Sequence, residues 1–219
     1  MPKLMKEVTM QPEPRAEEPV DGRRIRGART RDLVIAEAIQ LASVEGLEGL
    51  SIARLAARLG TAKSSVHTAF GSKESLQLAV IRETREILIE LVVRPSLAAE
   101  AGHERLIALG EAWMSYLERD TFEGGCLLSS ASAEMDGRPG PVRNAIADAM
   151  KEWLDLISSN VCEAIAAGEL SETVVPKQLA FELNAIGMAA NWHHQLFGGD
   201  EVLRMGRSAW ENMIVKYRS

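Results

Sequence analysis

The sequence predicts an all-α fold in which a head of three short helices precedes a larger helical body. Apolar residues recur at three- and four-residue steps along most of the 219-residue chain, and this spacing places them on one face of an α-helix. Glycine and proline separate the periodic segments, and no segment alternates apolar and polar residues as a half-buried strand does. Hydrophobic residues make up 46% of the chain and charged residues 26%, which is typical of a soluble protein with a packed core.

The head is predicted to contain three helices. The first begins near Thr30 and ends at Gly46, because glycine is common just past a helix C-terminus. Ser51 can cap the N-terminus of a second helix, which Gly60 ends. A third short helix is expected over residues 62–69.

The body is predicted to be helical throughout. Ser72 can cap a long fourth helix, and Pro95 ends it. Five more helical segments follow, near residues 104–118, 125–134, 141–167, 176–196 and 200–217. We therefore expect the head over residues 25–74 and the body over residues 75–219.

The first 24 residues are predicted to form a disordered arm. They mix proline with charged residues and show no apolar periodicity, so they can bury too little surface to offset the entropy of ordering. The adjoining run Arg23-Arg24-Ile25-Arg26 is either a flexible extension that contacts phosphates or a solvated linker.

The sequence shows no sign of export or membrane insertion. No apolar run is long enough to cross a bilayer, and the N-terminus lacks the apolar centre of a signal peptide. The two cysteines, Cys126 and Cys162, are too few for a disulfide framework and have no partner at metal-ligand spacing. We expect a cytoplasmic protein that holds no metal and no cofactor.

Charge is distributed unevenly along the chain, whose net charge is −6. Residues 22–73 contain nine basic and four acidic residues, a net charge of +5, whereas the residues from Glu74 onward sum to −9. A basic segment on an acidic body predicts a local site for a polyanion.

Residues 51–59 and 62–69 have the dimensions of a helix-turn-helix, since they are two short helices separated by a glycine turn. The second helix exposes polar side chains and leaves Val66 and Phe70 to face the core. No aspartate or glutamate occurs between Gly49 and Ser72, and carboxylates on a helix in the major groove would be repelled by the phosphates. A merely solvated helix face is the alternative, and the absence of acids counts against it.

Several short motifs mark the head. They are Thr30-Arg31, Gly46, Leu55-Ala56, Gly60, Lys63 and Phe70-Gly71-Ser72-Lys73-Glu74-Ser75-Leu76. With these motifs, residues 30–80 resemble the DNA-binding head of the TetR family of regulators. The resemblance implies a homodimer of nine-helix subunits, in which three N-terminal helices bind double-stranded operator DNA and a variable body binds a small-molecule effector. We expect repression by operator occupancy that the effector relieves. Activation, or a role without a ligand, is the alternative.

The expected DNA contacts fall on the second and third helices and their flanks. Base-edge contacts are expected from Thr61, Ala62, Ser64, Ser65 and Thr68, and phosphate contacts from Arg31, Ser51, Lys63, His67 and Lys73. His67 stands where the family usually has a tyrosine. Ala69 replaces a common aromatic or histidine, while Phe70 remains to fill the core of the head.

An effector pocket is expected in the body, because related regulators line an apolar cavity with aromatic and methionine side chains. The candidate residues are Trp113, Met114, Tyr116, Leu117, Cys126, Leu127, Met150, Trp153 and Ile157. Plain core packing is the alternative for each of them.

A dimer interface is expected on the last two helices. Their small residues are Gly187, Ala189, Ala190, Gly206 and Ala209, and their apolar residues include Leu183, Ile186, Leu203, Trp210, Met213 and Ile214. Two such helices from each subunit could form a four-helix interface across a two-fold axis. Packing within one subunit is the alternative.

Other functions find less support in the sequence. There is no nucleophile elbow, phosphate-binding loop, HExxH pair or dinucleotide fingerprint, so an enzyme is not indicated. A ligand carrier or a structural bundle would leave the basic head unexplained. His193 and His194 are adjacent and point to different sides of a helix, which does not suit a metal site.

Overall fold

The computed structural model describes residues 22–219, with side chains described from residue 30 onward. Within that range the chain forms nine helices and no strand, which confirms the predicted all-α fold. The helices are α1 (Gly22–Gly49), α2 (Ile52–Arg58), α3 (Lys63–Phe70), α4 (Lys73–Leu88, continued by a π-helical turn Ile89–Val93 and a last turn Arg94–Ser96), α5 (His103–Glu118), α6 (Leu127–Met135), α7 (Pro141–Ala166), α8 (Pro176–Phe197) and α9 (Glu201–Val215). None of these helices has the length and apolar character needed to span a bilayer.

Local sequence fixes the boundaries of the head helices. The hydroxyl oxygens of Ser51 and Ser72 accept backbone N–H bonds from the first turns of α2 and α4, as N-caps do. Gly60 has φ 59°, and Thr61 N–H donates to Ala56 O at 2.9 Å. This is the Schellman ending that glycine favours, and it turns the chain sharply from α2 into α3.

The first helix is longer than predicted. It begins at Gly22 rather than near Thr30, so residues 22–24, which we expected in the disordered arm, form its first turn. Residues 1–21 of the expected arm lie outside the described residues. The apolar periodicity starts only at Val34. It therefore gave no signal for the helical turns that precede this residue. Gly46 interrupts α1 with φ 77°, at the predicted position.

The fourth helix continues past Pro95 and ends at Ser96, whereas we expected Pro95 to end it. Proline has no N–H to give to the carbonyl four residues earlier. In the π-helical turn before it the bonding is already shifted, since Arg94 N–H donates to Ile89 O. The proline is therefore accommodated without a break.

A cluster of indole rings lies in the core of the body. The ring centroid of Trp113 on α5 lies 5.0 Å from that of Trp153 on α7 and 6.1 Å from that of Trp210 on α9, both edge to face, an arrangement that aromatic pairs favour. A Cβ at Gly187 would lie 2.0 Å from the Trp113 ring. Only glycine allows α8 to approach this ring so closely.

The loop between α5 and α6 fastens the head to the body. Gln40 on α1 donates from Nε2 to Thr121 O (3.1 Å) and accepts the Glu123 N–H at Oε1 (2.9 Å). The Ser43 hydroxyl accepts the Gly124 N–H at 3.0 Å. Because these polar backbone groups are partnered across the joint, α1 and this loop behave as one packed unit.

Candidate functional site

One solvent-facing surface of α3 gathers the predicted DNA-contacting residues. Ala62, Lys63, Ser64, His67 and Thr68 are exposed, Thr61 and Ser65 are half-buried, and Val66 and Phe70 are buried in the core of the head. The exposed surface therefore consists of hydrogen-bonding groups, one cation and the methyl group of Ala62, without an acid. The structure brings these residues together, and their individual contacts with DNA remain predictions.

The hydroxyl of Thr68 has only its acceptor capacity left for a further partner. Its proton is already donated to Ser64 O at 2.8 Å. In the major groove the amino groups of cytosine and adenine are donors. The predicted base contact of Thr68 would therefore be with one of these two amino groups.

Arg31 supports the recognition helix from behind. Its Nη1 donates to Ala69 O at 2.6 Å, at the C-terminal end of α3, where a cation is favourable to the helix dipole. The guanidinium carbon also lies 4.4 Å from the Phe70 ring centroid, a cation–π distance. We expected the Arg31 guanidinium to bind a phosphate. One of its N–H groups is instead used to hold α3 in position.

Of the five cationic side chains described in the head from residue 30 onward, three are ion-paired within the head. Ion pairs join Arg54 to Glu45, Arg58 to Glu37 and Lys73 to Glu48. Lys63 forms no ion pair with any residue from 30 to 219. Its ammonium group is therefore the cation on α3 that is free to meet a phosphate.

Lys73 joins α4 to the last residues of α1, beyond the kink at Gly46. Its Nζ donates to Glu48 O at 2.6 Å and lies 3.2 Å from the Glu48 carboxylate. The hydrogen bond from Lys73 lowers the pKa of Glu48 below its ordinary value. A phosphate contact by Lys73 would compete with this pair. The Ser51 hydroxyl oxygen accepts the Arg54 N–H, while its proton stays available for a phosphate.

The body contains a cavity of about 250 Å³. It is lined by Arg85, Leu88, Ile89 and Val93 of α4, Trp113 of α5, Cys126, Leu128 and Ser129 at the start of α6, Ala149, Met150, Glu152, Trp153 and Leu156 of α7, and Asn184 of α8. Four predicted pocket residues, namely Trp113, Cys126, Met150 and Trp153, are among these. The other five, Met114, Tyr116, Leu117, Leu127 and Ile157, do not line this cavity and are buried in the core around it.

The buried phenol of Tyr116 illustrates this core. Its ring packs edge to face on Phe122 at 5.9 Å between centroids. Burial, and then the neighbouring Cys126 thiol, raise the pKa of Tyr116 far above its ordinary range. The phenol therefore stays neutral and serves packing.

The charged and polar groups of the cavity are separated in space. Arg85 Nε donates to Glu152 Oε2 at 2.5 Å, and this hydrogen bond to the carboxylate raises the pKa of Arg85. Both side chains are partly exposed, so they mark the open end of the cavity. Farther in, Trp153 Nε1–H donates to Asn184 Oδ1 at 3.1 Å, whereas the buried Trp113 Nε1–H has no hydrogen-bond partner among the described residues.

Sequence reasoning missed the contribution of α4 to the cavity. Arg85, Leu88, Ile89 and Val93 recur at helical spacing on one face, and this stripe was available as a signal. Asn184 was a second signal, because a polar residue inside an apolar stripe needs a buried partner.

The short helix α6 connects the cavity to the head. At its start Cys126 lines the cavity, and Cys126 N–H donates to Asn191 Oδ1 at 2.8 Å. At its end the Glu134 carboxylate accepts the Leu47 N–H at 2.8 Å and the Glu48 N–H at 2.9 Å. A single rigid element thus touches both the cavity wall and the turn that leads into α2.

Most residues expected at a dimer interface pack inside the subunit instead. The residues concerned, Leu183, Gly187, Ala190, Leu203, Gly206, Trp210 and Ile214, are buried in the single chain. Gly187 meets Trp113, and a Cβ at Gly206 would lie 2.8 Å from Met114 Sδ. Apolar periodicity shows that a helix has an apolar face but does not show which of two apolar faces turns inward.

A different face of α8 and α9 is apolar and exposed. We name it the outer α8–α9 face, and its residues are Phe181, Ala189, Trp192, Leu196, Met205 and Ala209. Phe181, Trp192, Leu196 and Met205 are each 59% to 62% exposed, which is unusual for large apolar side chains that share one surface. This face is therefore the candidate interface.

The two adjacent histidines are held by hydrogen-bonding and ring contacts. His194 Nδ1 lies 2.9 Å from Gly199 O, and the His193 ring lies 4.8 Å from that of Phe197. Across residues 22–219 no cluster of three or more histidine, cysteine, aspartate or glutamate side chains is arranged to hold a metal ion.

Comparison with known proteins finds two family models on this chain. Residues 34–80 match the family described as bacterial regulatory proteins, tetR family, and residues 102–210 match the tetracyclin repressor-like C-terminal domain. No match is found among curated protein sequences.

Solved structures resemble the whole fold. A TetR transcriptional regulator from Chloroflexus aurantiacus superposes with a TM-score of 0.82 at 26% identity, covering 89% of this chain and 98% of that one. A TetR family regulator from Cytophaga hutchinsonii gives 0.78 at 20% identity, with 88% and 96% covered. A transcriptional regulator from Saccharomonospora viridis in complex with choline gives 0.75 at 18% identity, with 88% and 99% covered.

Proposed function

Because the chain belongs to the TetR family of transcriptional regulators, we propose that it is a repressor that binds an operator as a homodimer and releases it when a small molecule enters the body. Family membership makes the chain a DNA-binding transcription regulator rather than an enzyme. The observation that carries the proposal is the exposed, acid-free surface of α3, which follows α2 across the tight turn at Gly60. We place the site of action in the cytoplasm, where operator DNA is accessible.

The proposed contacts follow from the groups that α3 and its flanks expose. Base edges would be read by Thr61, Ala62, Ser64, Ser65 and Thr68, with Ala62 limited to apolar contact. Phosphates would be bound by Lys63 and His67 on α3 and by Ser51 at the start of α2. Arg31 and Lys73 would act mainly by holding α3 and α4 in place, because their donors already have partners.

A mobility-shift titration tests the DNA-binding proposal. Duplexes selected from a random pool by the full chain should share a palindromic sequence, since a two-fold dimer binds two related half-sites. We expect specific binding to exceed non-specific binding by at least about 10³-fold at moderate salt. Equal affinity for all duplexes would refute the proposal.

We propose that dimerisation uses the outer α8–α9 face. Four helices, two from each subunit, would bury its large apolar side chains. Trp192→Glu should give a monomer in analytical ultracentrifugation, because it places a charge in the contact. Leu97→Glu is the matched control, since Leu97 is 54% exposed but lies outside this face; a Trp192→Glu variant that sediments as a dimer would exclude this interface.

We further propose that α6 transmits the presence of the effector. A ligand that displaces Cys126 at the start of this helix would move Glu134 at its end and thereby the turn that it clamps. Binding of choline by the Saccharomonospora viridis regulator supports small-molecule binding by a body of this fold. The ligand can act only if its affinity differs between the two conformations.

Hydrogen–deuterium exchange of the Leu47 and Glu48 amides tests the clamp. Glu134→Gln replaces one acceptor oxygen with a donor, so exchange should accelerate at these two amides. Glu123→Gln is the control, because the Glu123 side chain is exposed and bonds neither amide. Unchanged protection in Glu134→Gln would remove Glu134 from the mechanism.

A further inference from the structure

We propose that the cavity takes a neutral apolar molecule about the size of one substituted ring, carrying one hydrogen-bond acceptor that meets Trp113 Nε1–H. The inference rests on the proposed function only in treating this cavity as the effector site. Three properties of the cavity carry it, namely its volume, its lack of an unpaired charge and the unpartnered indole N–H of Trp113.

The volume limits the size of the ligand. Benzene binds in a protein cavity of about 150 Å³, and this cavity measures about 250 Å³. The difference of about 100 Å³ is room for a substituent of a few heavy atoms. A larger molecule would have to extend through the open end between Arg85 and Glu152.

The charges of the cavity disfavour an ionic ligand. The two ionised lining residues, Arg85 and Glu152, neutralise each other at the open end. An ion deeper inside would be desolvated with no counter-ion, which is costly. Trp113 and Trp153 offer aromatic surface for a cation. The Glu152 carboxylate, which could neutralise that cation, is already paired with Arg85.

The indole N–H of Trp113 supplies the polar contact. Trp113 is 98% buried, and its N–H has no hydrogen-bond partner among the residues described. The indole N–H groups of Trp153 and Trp210 donate to Asn184 Oδ1 and Leu106 O instead. The nitrogen has almost no accessible surface, so the Trp113 ring has to turn slightly toward the cavity to present it. Since buried donors are nearly always satisfied, an acceptor on the ligand is the expected partner of the turned ring.

Calorimetric titration of the full chain with four probes tests this ligand class. Benzonitrile is neutral and carries an acceptor, phenylacetylene has nearly the same shape without a strong acceptor, benzoate is an anion and choline is a cation. Both neutral probes should bind, and both ionic probes should bind at least tenfold more weakly. Tighter binding of benzoate or choline would overturn the proposal.

The role of Trp113 is tested by a change in preference rather than by affinity alone. Trp113→Phe should lower the affinity ratio of benzonitrile to phenylacetylene by about five- to tenfold, the usual value of one hydrogen bond. Trp210→Phe is the control, because it removes an indole in contact with Trp113 but outside the cavity lining; its ratio should stay at the wild-type value. An unchanged ratio in Trp113→Phe would remove the hydrogen bond from the proposal.

The nitrile band of bound benzonitrile gives a test in the unmodified protein, in case Trp113→Phe does not fold. A direct N–H bond should move the infrared stretch to a higher frequency than in hexane, and a band at the hexane position would refute the contact. None of these measurements involves DNA. Failure of ligand binding therefore leaves operator binding standing, and failure of operator binding leaves the ligand class standing.

Discussion

Replacement of Lys63 by alanine should weaken binding to every duplex by a similar factor. Lys63 lies at the start of α3, is exposed and is not ion-paired within residues 30–219. Its ammonium group is thus available to displace a condensed counter-ion from a phosphate, an effect that does not depend on base sequence. The loss should appear both in affinity and in the dependence of affinity on salt.

The magnitude follows from counter-ion release. Each neutralised phosphate contributes a slope of about −0.9 to a plot of log affinity against log salt concentration. At about 0.15 M salt this corresponds to roughly sixfold in affinity, or about 1 kcal/mol, for each half-site. A dimer carries two copies, so Lys63→Ala should cost about thirtyfold and flatten the slope by about 1.8.

Fluorescence anisotropy of a labelled duplex over a range of salt concentrations measures both quantities. Lys151→Ala is the matched control, because Lys151 is an exposed lysine on α7 paired with Asp155, far along the chain from α3. The control changes net charge equally and should leave the slope unchanged. The reasoning is refuted if Lys63→Ala keeps the wild-type slope, or if the control flattens it as much.

Three further predictions concern stability, each measured by chemical or thermal unfolding. Gly187→Ala should lower the free energy of unfolding by about 2 kcal/mol, because displacing the Trp113 ring costs up to about 3 kcal/mol and the gain in helix propensity returns about 1 kcal/mol; equal stability would contradict the close approach. Arg31→Ala should cost about 2 kcal/mol, since a charged hydrogen bond to the end of α3 is lost, and a cost no larger than that of Arg82→Ala would contradict this. The lowered pKa of Glu48 implies stability that is present above pH 4.5 and lost as the pH falls through the lower folded value; for this exposed pair it is below about 1 kcal/mol, and Glu48→Gln should remove it.

The helix order was predictable because breakers and caps act locally. Ser51, Gly60 and Ser72 form the caps that the sequence indicates, and each cap depends on residues only a few positions away. The start of α1 and the end of α4 were not predictable in this way. The first turns of α1 precede the apolar stripe, and Pro95 is tolerated only because a π-helical turn comes before it.

The candidate sites were harder to predict because they depend on tertiary packing. The sequence identifies the apolar residues of the body, and only the three-dimensional arrangement separates Trp113 on the cavity wall from Met114 beside it in the core. In the same way, Gly187 faces inward toward Trp113 while Trp192 faces outward. Both residues belong to the periodic apolar pattern of α8. The spacing of that pattern does not show which residues face the core of the subunit and which face solvent.

Charge counted along a sequence overestimates the charge available to DNA. Of the basic residues described in the head, three are ion-paired and Arg31 donates to the end of α3, which leaves Lys63. Lys63 alone would give a dimer a salt slope of about −2. Each further arginine from positions 23–29 that binds a phosphate would add about −0.9 per half-site. The slope of the wild-type protein therefore shows whether these arginines, which belong to the first turns of α1, contact DNA. A value near −2 leaves them in solvent, and a markedly steeper one makes them part of the DNA-binding surface.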